Sequence, residues 1–517
     1  MKNIYKTITL LMLLGFISGC TKDILDKSPL DRLSPDTFYQ NEGELKMGLM
    51  GVYNGLSENS TQIHWYQFDF MSDDAFCEHS WQGSLEFGAW NQNSSSSTAM
   101  EKWARAYSTI VRANRFIENL EAAPVNDNVK TQMKAEARFL RAFMYADLAH
   151  FYGDVPLILS VQTLDEAKVS RTLKSDVLNA ILEDLDFAAQ NLPAEYSGSD
   201  IGRATKGAAL AYKARVYLYN EKWTEAAAAA KSVMDLSVYQ LFNNYEGIFL
   251  EDNENNSEVI FDIQYMKDLS AQPWPSSALS FAEWPTPSVT SSLINSYYMT
   301  NGLPIDDSNS GYNDQNPFTN RDPRMAASII LPGSQMGART FIPANDDVLT
   351  GARPRKYADL NNTDRNNCAI NTILMRYADI LLMRAEALVE ANKITQEVYD
   401  LIDMVRARAN MPSVEEVEGT GLSQSQLREI IRHERRVEFP IEGLRYADMY
   451  RWKDESLIHD VYGYNRSKLS DPSNPSTWVF EQVKASTRTF NAQKGWLWPI
   501  PQGDRQNNEN LTQNPGY

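Results

Sequence analysis

Apolar residues recur at steps of three and four along most of residues 98–235 and 377–452, the spacing of one face of an α-helix. Helix-ending signals divide this pattern, since Gly153 and Pro156 follow one apolar stripe and Pro193 follows the next. Each predicted helix has a single apolar stripe, so each must bury that stripe against a neighbour. The expected helices lie at residues 98–117, 127–152, 177–192, 205–220, 223–235, 424–437 and 444–452, with a helix pair inside 377–408.

Polar residues mark several of the predicted helix starts. Thr98 with Glu101, and Ser423 with Gln426, have the three-residue spacing of a capping box. Thr205 is placed to cap the helix that follows it.

Two predicted helix pairs, at 205–234 and 377–408, share a tetratricopeptide-like pattern. Small residues let two helix backbones approach, and large residues fill the crossing. The pattern does not return every 34 residues, so the chain is not a simple tandem solenoid. The matching positions are Ala214, Tyr217, Trp223 and Ala226 in the first pair and Ala385 and Leu388 in the second, where Glu397 replaces the usual Ala.

Residues 237–375 interrupt the helical pattern. They hold ten of the 22 prolines and two short β-like runs, 259–263 and 328–331. A stretch this long with little regular structure is usually functional or disordered, and its tryptophans and tyrosines argue against disorder. The predicted fold class is therefore mainly α, with tetratricopeptide-like helix pairs as a scaffold, long loop-rich insertions and few short strands.

The first twenty residues have the pattern of an export signal. Lys2 and Lys6 precede an apolar run at 8–17 that is too short to span a membrane, and small residues lead to Cys20. The ending Ile-Ser-Gly-Cys resembles a bacterial lipobox, in which Cys20 carries lipid; the alternative is an ordinary signal peptide with an incidental cysteine. The expected organisation is a lipoprotein signal peptide at 1–19, a lipid-anchored tether at 20–35 and a single domain at 36–517, with an insertion-rich segment at about 237–375.

Charge and cysteine content exclude several classes of protein. A net charge of -18 over 517 residues argues against a nucleic-acid binder, which needs a basic surface. Besides Cys20, Cys77 and Cys368 permit one disulfide or two buried thiols, and they are too few for a four-thiolate metal site. Hydrolase, nucleotide-binding and zinc motifs are absent, and His64 and His79 are the nearest candidates for a polar site. We therefore expect no catalytic residues, no metal and no cofactor.

Arginine and glutamate are frequent in the C-terminal helices, above all in the run from His433 to Glu438. At helical spacing such residues are expected to pair along their own helix, and an anion site is the alternative. The same expectation applies to Arg376, Arg384, Arg406 and Arg408.

Aromatic residues make up 11% of the chain and divide by their surroundings. A ring in a polar, Pro- or Gly-rich stretch either clamps its own loop or stacks on the C–H face of a sugar. Asp73 can accept sugar hydroxyls, whereas the adjacent pair Asp73-Asp74 is poorly suited to flank one sugar bond as glycosidase carboxyls do. The rings in such stretches are Trp81, Trp90, Trp274, Trp284, Tyr297, Tyr298 and Tyr312.

Six segments, in order, resemble the SusD/RagB family of surface lipoproteins from Bacteroidetes. Each is a weak signal alone, but together they are specific, and Pro440 and Glu397 are small departures from the family pattern. The segments are the lipobox to Cys20 with the following KDILDKSP, residues 134–157, 202–218, 376–388 with 405–410, 432–452, and the tail 498–517.

The resemblance implies one large α-rich domain in which four tetratricopeptide-like helix pairs form a scaffold. It implies a lipid anchor in the outer membrane, facing the cell exterior, and a SusC-like TonB-dependent transporter that this protein caps as a hinged lid. It also implies capture of oligosaccharide, or in some members peptide, without catalysis or cofactor; the sequence does not indicate a structural calcium. A surface glycosidase is the alternative from another class.

The resemblance also locates a ligand face. In the family this face draws on the segment between the first helices and on the middle insertion, which correspond by order to residues 64–97 and 270–320 here. The expected ligand contacts are the stacking rings Trp81, Trp274 and Trp284, the hydroxyl acceptor Asp73, and the edge contacts Tyr297 or Tyr312.

Overall fold

A computed structural model of the chain describes residues 38–56, 65–78, 83–268, 287–358, 360, 369–471 and 474–517. Several features expected from the sequence lie outside these residues. They are the signal peptide, Cys20 and most of the N-terminal region, together with His64, His79, Trp81, Trp274, Trp284 and Cys368.

The described part of the chain is mainly helical, as the apolar periodicity predicts. The ends of the predicted helices fall within a few residues of the observed ones. The helices are α1 (Glu42–Tyr53), α2 (Ser84–Gly88), α3 (Ser97–Ala122), α4 (Asp127–Tyr152), α5 (Lys174–Asn191), α6 (Lys206–Tyr219), α7 (Trp223–Asp235), α8 (Ser291–Ser296), α9 (Pro323–Ser328), α10 (Tyr377–Glu390), α11 (Gln396–Arg408), α12 (Val414–Val417), α13 (Gln424–Glu438), α14 (Arg445–Trp452) and α15 (Gln502–Asn507).

Helix caps follow the sequence signals at two of the three predicted sites. The Thr205 hydroxyl accepts a backbone N–H at the start of α6, and Ser423 with Gln426 forms a reciprocal capping box at the start of α13. The box predicted for Thr98 and Glu101 is wrong, because α3 starts at Ser97 and Thr98 is buried inside it.

The tetratricopeptide-like positions lie at helix contacts. Ala214 on α6, Ala226 on α7 and Ala385 on α10 are each at most 1% exposed, in a hydrophobic cluster that extends through α1 to α7 and α10 to α14. Helix α7 packs against both α6 and α10, and α10 also packs against α11 and α13. Small side chains at these positions allow the close approach of the backbones.

Glu397, the departure from the usual alanine, has a partner in the same helix pair. The Arg384 guanidinium on α10 donates to the Glu397 carboxylate on α11 at 2.7 Å and to the backbone carbonyl of Ala227 at 2.6 Å. The acidic side chain thus joins α10 to α11 by a charge-assisted hydrogen bond, where alanine would give only close packing.

Strands in the described residues form antiparallel pairs. The run 259–263 is a strand as predicted, whereas in 328–331 only two residues are, because Ser328 ends α9. The pairs are β1 (Ala75–Cys77) with β3 (Pro287–Val289), β2 (Val259–Ile263) with β8 (Thr372–Arg376), β4 (Ile329–Ile330) with β7 (Arg353–Pro354), β5 (Gln335–Met336) with β6 (Arg339–Thr340), and β9 (Val461–Tyr464) with β10 (Gln482–Ser486).

A buried network of ion pairs fastens the long insertion to the helices. Arg376, at the end of β8, contacts Glu258 at 2.7 Å, Glu438 at 2.6 Å and Glu442 at 2.8 Å. Arg324 on α9 adds a 3.0 Å contact to Glu438. These side chains are almost fully buried, so each charge depends on its partners to offset the loss of hydration.

The expectation of pairing along single helices is therefore wrong for this region. Arg376 and Glu258 are 118 positions apart, and Arg324 is 110 positions from Glu434, its 2.6 Å partner on α13. Arg406 and Arg408, on α11, likewise pair with glutamates on other elements. The apolar periodicity predicts helices here, but the buried charged side chains point toward other elements. The ion pairs are therefore tertiary contacts.

Replacing Arg376 should strongly destabilise the fold. The change Arg376→Met leaves buried carboxylates without their shared cation, and we expect a loss of about 3–5 kcal/mol in the free energy of unfolding. Urea denaturation at pH 7 of the chain without its first twenty residues measures this loss.

The matched control is Lys231→Met, which removes an exposed pair with Asp235 on α7. Exposed pairs contribute about 0–1 kcal/mol, so this variant should unfold close to the parent. Equal losses in the two variants would contradict a special role for the buried network.

Candidate functional site

A second hydrophobic cluster lies within the loop-rich part of the fold. It includes Val289 of β3, Leu293 of α8, Tyr464 of β9 and Trp478. Tyr464 is held at the end of β9 by the ladder to β10, and its N–H donates to the carbonyl of Thr350 at 2.8 Å. The insertion and the C-terminal strands therefore pack on this shared cluster, which we call the hydrophobic base.

The edge of this base opens into a cleft lined by several aromatic rings. Phe480 stands edge-on to Tyr464, with ring centroids 5.5 Å apart, and edge-on to Phe318 at 5.0 Å. The Trp478 indole N–H donates to a backbone carbonyl at 2.9 Å. Since packing holds the rings in place, their faces are positioned before any ligand arrives. The rings of this aromatic cleft are Tyr312, Tyr464, Trp478 and Phe480.

Polar side chains surround the rings of the aromatic cleft. Carboxylates and amides of this kind can accept and donate hydrogen bonds to hydroxyl groups. The space between the walls measures about 870 Å³ including its opening to solvent, which is enough for several sugar rings. The polar lining residues are Asn295, Asp314, Gln315, Glu481 and Gln482.

Tyr312 is the ring from the sequence prediction that the structure places in this cleft. It is half-buried, and the Arg321 guanidinium lies 5.5 Å from its ring centroid. Arg321 is itself fixed by the carbonyls of Ile294, Tyr297 and Pro317. Burial raises the pKa of Tyr312 further above its usual alkaline value, and the protonated phenol can donate and accept hydrogen bonds at neutral pH.

Asp73 lies in the interior, in a position that does not present it to a ligand. It is 3% exposed, and the Arg445 guanidinium on α14 donates two hydrogen bonds to its carboxylate, at 2.8 and 2.9 Å. Arg436 on α13 contacts Asp73 at 3.0 Å and its neighbour Asp74 at 2.7 Å. This arrangement gives Asp73 the role of fastening the segment before β1 to two helices.

The protonation of the two carboxyls follows from their partners. Burial alone would raise the pKa of Asp73, but Arg436 and Arg445 hold it well below its usual range. Burial raises the pKa of Asp74, and the adjacent charge of Asp73 adds to that rise. The pair differs in protonation tendency, as a catalytic dyad would, but both carboxyls are enclosed by arginines and protein walls.

Two other predicted loop rings are also buried. Tyr297 has no exposed surface and packs in the second hydrophobic cluster, so its ring is not at the cleft surface. Trp90 is 1% exposed and packs against Tyr450 and Trp496. In both cases a ring from a polar stretch of sequence packs inside the protein. This is the alternative to sugar stacking that the sequence left open.

The sequence analysis missed three of the four cleft rings. Trp478 follows Asn-Pro-Ser-Thr, a loop signal of the kind that singled out the other tryptophans, so the same rule applied to the C-terminal region finds it. Tyr464 and Phe480 carry no such signal. They enter the cleft through the pairing of β9 with the segment around β10, which only the fold reveals.

The described residues contain no group of three or more His, Cys, Asp or Glu arranged to hold a metal ion. Within the same residues, helices with the length and apolar character needed to cross a membrane are also absent. Cys77 is a buried cysteine in β1, and the alternatives for its pairing with Cys368 stay open.

Two family models match most of the chain. Residues 257–517 match the model described as the SusD family. Residues 23–218 match one described as "Starch-binding associating with outer membrane". Residues 219–256 lie between the two matches, which together cover both the N-terminal helices and the cleft-bearing half.

Individual relatives agree with these matches. SusD-like protein P38 of Formosa agariphila is 28% identical over 500 residues, covering 91% of this chain and 96% of that protein. Starch-binding protein SusD of Bacteroides thetaiotaomicron is 22% identical over 596 residues, covering 100% and 99%. The solved structure of a SusD-like carbohydrate binding protein from Bacteroides fragilis superposes with a TM-score of 0.82 at 29% identity, covering 92% and 100%.

The structural role of Asp73 can be tested by Asp73→Asn. The variant leaves Arg445 without its carboxylate, and we expect it to lose about 3 kcal/mol of unfolding free energy at pH 7. Because the folded-state pKa is depressed, the contribution of Asp73 is complete above the unfolded-state pKa of about 3.9 and is lost as the pH falls below it. The stability difference between parent and variant, measured by urea denaturation, should therefore shrink below pH 4.

Asp252→Asn, at an exposed carboxylate, serves as the control and should unfold like the parent at every pH. A variant at Asp73 that keeps full stability but loses ligand binding would instead support the role of hydroxyl acceptor.

Proposed function

The chain belongs to the SusD family, and from that membership and the aromatic cleft we propose that it is a glycan-binding protein of the cell surface. It captures oligosaccharide and delivers it to a SusC-like TonB-dependent transporter. The observation that carries the proposal is the cleft itself, where preformed aromatic faces stand beside carboxylates and amides.

The cleft has the two kinds of surface that sugar recognition requires. A sugar ring has an apolar C–H face, which stacks on an aromatic side chain, and a rim of hydroxyls, which need hydrogen-bond partners. Tyr312 and Phe480 supply partly exposed rings, and Asp314 and Glu481 supply charged acceptors. Charge-assisted bonds from hydroxyl to carboxylate are stronger than neutral ones, so these acceptors favour a ligand rich in hydroxyls.

The proposed ligand face continues toward the predicted tryptophans Trp81 and Trp284. Cys77, the last residue of β1, pairs with Pro287, the first residue of β3. Cys77 and Val289 belong to the same hydrophobic cluster as Tyr464 and Trp478. We propose that Trp81, Trp274 and Trp284 add stacking platforms beside the cleft.

We also propose that the protein binds its ligand without catalysing a reaction on it. The paired carboxyls Asp73 and Asp74 are committed to Arg436 and Arg445, which supports a structural use of the most suggestive acidic pair. Two similar proteins are named for the ligand they bind, one as starch-binding and one as carbohydrate binding.

Substitution of Tyr312 should weaken glycan binding. A panel of polysaccharides and peptides, screened by affinity electrophoresis and calorimetry, first identifies a ligand. Tyr312→Ala removes an accessible stacking face, and we expect about a tenfold weaker affinity for a glycan, with little change in melting temperature because the ring is half-exposed. Trp81→Ala and Trp284→Ala should also weaken binding.

The control is Tyr462→Ala, which removes a 40% exposed tyrosine of β9 that does not line the cleft. It should bind like the parent. Binding of peptides but not glycans would show that the ligand is a peptide. Release of reducing sugar would show that the protein is a glycosidase. Normal glycan binding by Tyr312→Ala would exclude the aromatic cleft as the binding site.

We propose from the lipobox that Cys20 carries a lipid anchor. The anchor would hold the protein at the outer membrane, where it meets its transporter. Several acyl chains on one cysteine hold a protein on a membrane, whereas a single chain gives marginal binding. The acidic chain, at -18, gains nothing from anionic headgroups.

The change Cys20→Ala should move the protein from the outer-membrane fraction to the soluble fraction. In the parent, mild detergent extraction should co-purify a TonB-dependent barrel, identified by mass spectrometry. Retention of Cys20→Ala in the membrane would contradict the anchor, and loss of the barrel from parent preparations would contradict the partnership.

A further inference from the structure

A second cavity lies in the helical half, within the large hydrophobic cluster and separate in lining from the aromatic cleft. Helices α4 and α6 form two of its walls, and Leu444 and Ala447 close it from the start of α14. The space measures about 790 Å³ including its opening to solvent. Because the space opens to solvent, a small molecule can enter it from the surface.

A group of aromatic rings forms part of the wall of this cavity. Phe68, Phe143, Phe151 and Tyr212 line it, together with Trp65. Phe143 and Tyr212 lie with ring centroids 4.7 Å apart, and Phe68 and Phe151 lie 5.7 Å apart in a stacked arrangement. Such walls favour a flat apolar ligand, since stacked and edge-on ring contacts both stabilise aromatic pairs.

One ion pair stands in this aromatic wall. Lys102 on α3 pairs with Asp147 on α4, and both side chains are largely buried. The Lys102 ammonium lies 4.3 Å from the Phe68 ring centroid and 5.0 Å from that of Phe151. A carboxylate has about four lone-pair sites, so Asp147 can accept a hydrogen bond from a ligand hydroxyl beside its ion pair with Lys102.

The other charges around the cavity are balanced. Arg215 pairs with Asp379 at 2.7 Å, and Glu442 is shared by Lys356 and Arg376. Burial lowers the pKa of His150 to about 3, so its imidazole is neutral at physiological pH. A charged ligand would lose its hydration without meeting an uncompensated opposite charge, which excludes it energetically.

We propose that this cavity binds a small neutral aromatic molecule that carries one hydroxyl, of the phenol type. The ring lies among Phe68, Phe143 and Tyr212. The hydroxyl reaches the Lys102–Asp147 pair, where it donates to the carboxylate. This site is additional to the glycan-binding cleft, and its ligand differs from a sugar in being flat and largely apolar.

The test uses 4-fluorophenol and fluorine NMR on the chain without its first twenty residues. Saturable broadening or shift of the fluorine signal is expected. Fluorobenzene, which lacks the hydroxyl, should bind about tenfold more weakly, and 4-fluorobenzoate should not compete.

Variants locate the binding. Ala146 and Leu178 are half-buried residues lining the cavity, so Ala146→Phe and Leu178→Trp fill the space and should each weaken 4-fluorophenol binding at least tenfold. Ala228→Phe, at an exposed position on α7, is the matched control and should bind like the parent. Melting curves verify that both filled variants fold.

Three results would overturn the proposal: no saturable signal from 4-fluorophenol, parent-like binding in folded Ala146→Phe and Leu178→Trp, or tighter binding of 4-fluorobenzoate. Loss of glycan binding in Tyr312→Ala leaves this site untouched, so the two proposals fail separately.

Discussion

The buried ion-pair network around Arg376 is the constraint on which the rest of the structure depends. Charged side chains with almost no exposure are stable only when each finds its partner, because burial removes their hydration. Glu258 and Arg324 come from the long insertion, Arg376 follows directly after it, and Glu434 and Glu438 come from α13. One arrangement satisfies them all, so the network fixes how a segment poor in regular structure sits on the helices.

The aromatic cleft is a consequence of that placement. Its rings come from the insertion and from the chain after residue 460, which meet on one hydrophobic base. Because the base is packed, Tyr464 and Trp478 serve the cleft while remaining almost fully buried, and Tyr312 and Phe480 expose more of their faces. A preformed aromatic surface loses little side-chain entropy when it binds a ligand.

Family membership and the cleft point to the same kind of function by different routes. The segments that identify the family lie mainly on the helical scaffold, where α10 and α13 hold the ion pairs. The cleft residues lie in loops and short strands, and exposed ones such as Asp314 and Gln315 can vary with little cost to the core, whereas Tyr464 and Trp478 also pack in it. This separation explains how one scaffold can serve different ligands, and why the scaffold is recognisable while the ligand is not.

The sequence by itself determined the family and the longer helices within residues 97–235 and 377–452, with their approximate ends, because apolar periodicity and stop signals act over a few neighbouring residues. Of the two predicted edge contacts, Tyr297 and Tyr312, the structure places Tyr312 in the wall of the cleft. Only the tertiary structure decided that Asp73 and Tyr297 are interior residues and that Trp478 and Phe480 face the cleft. Ion pairs and ring contacts between residues more than a hundred positions apart depend on how the elements pack. A pattern that spans a few neighbouring residues does not predict which distant elements meet.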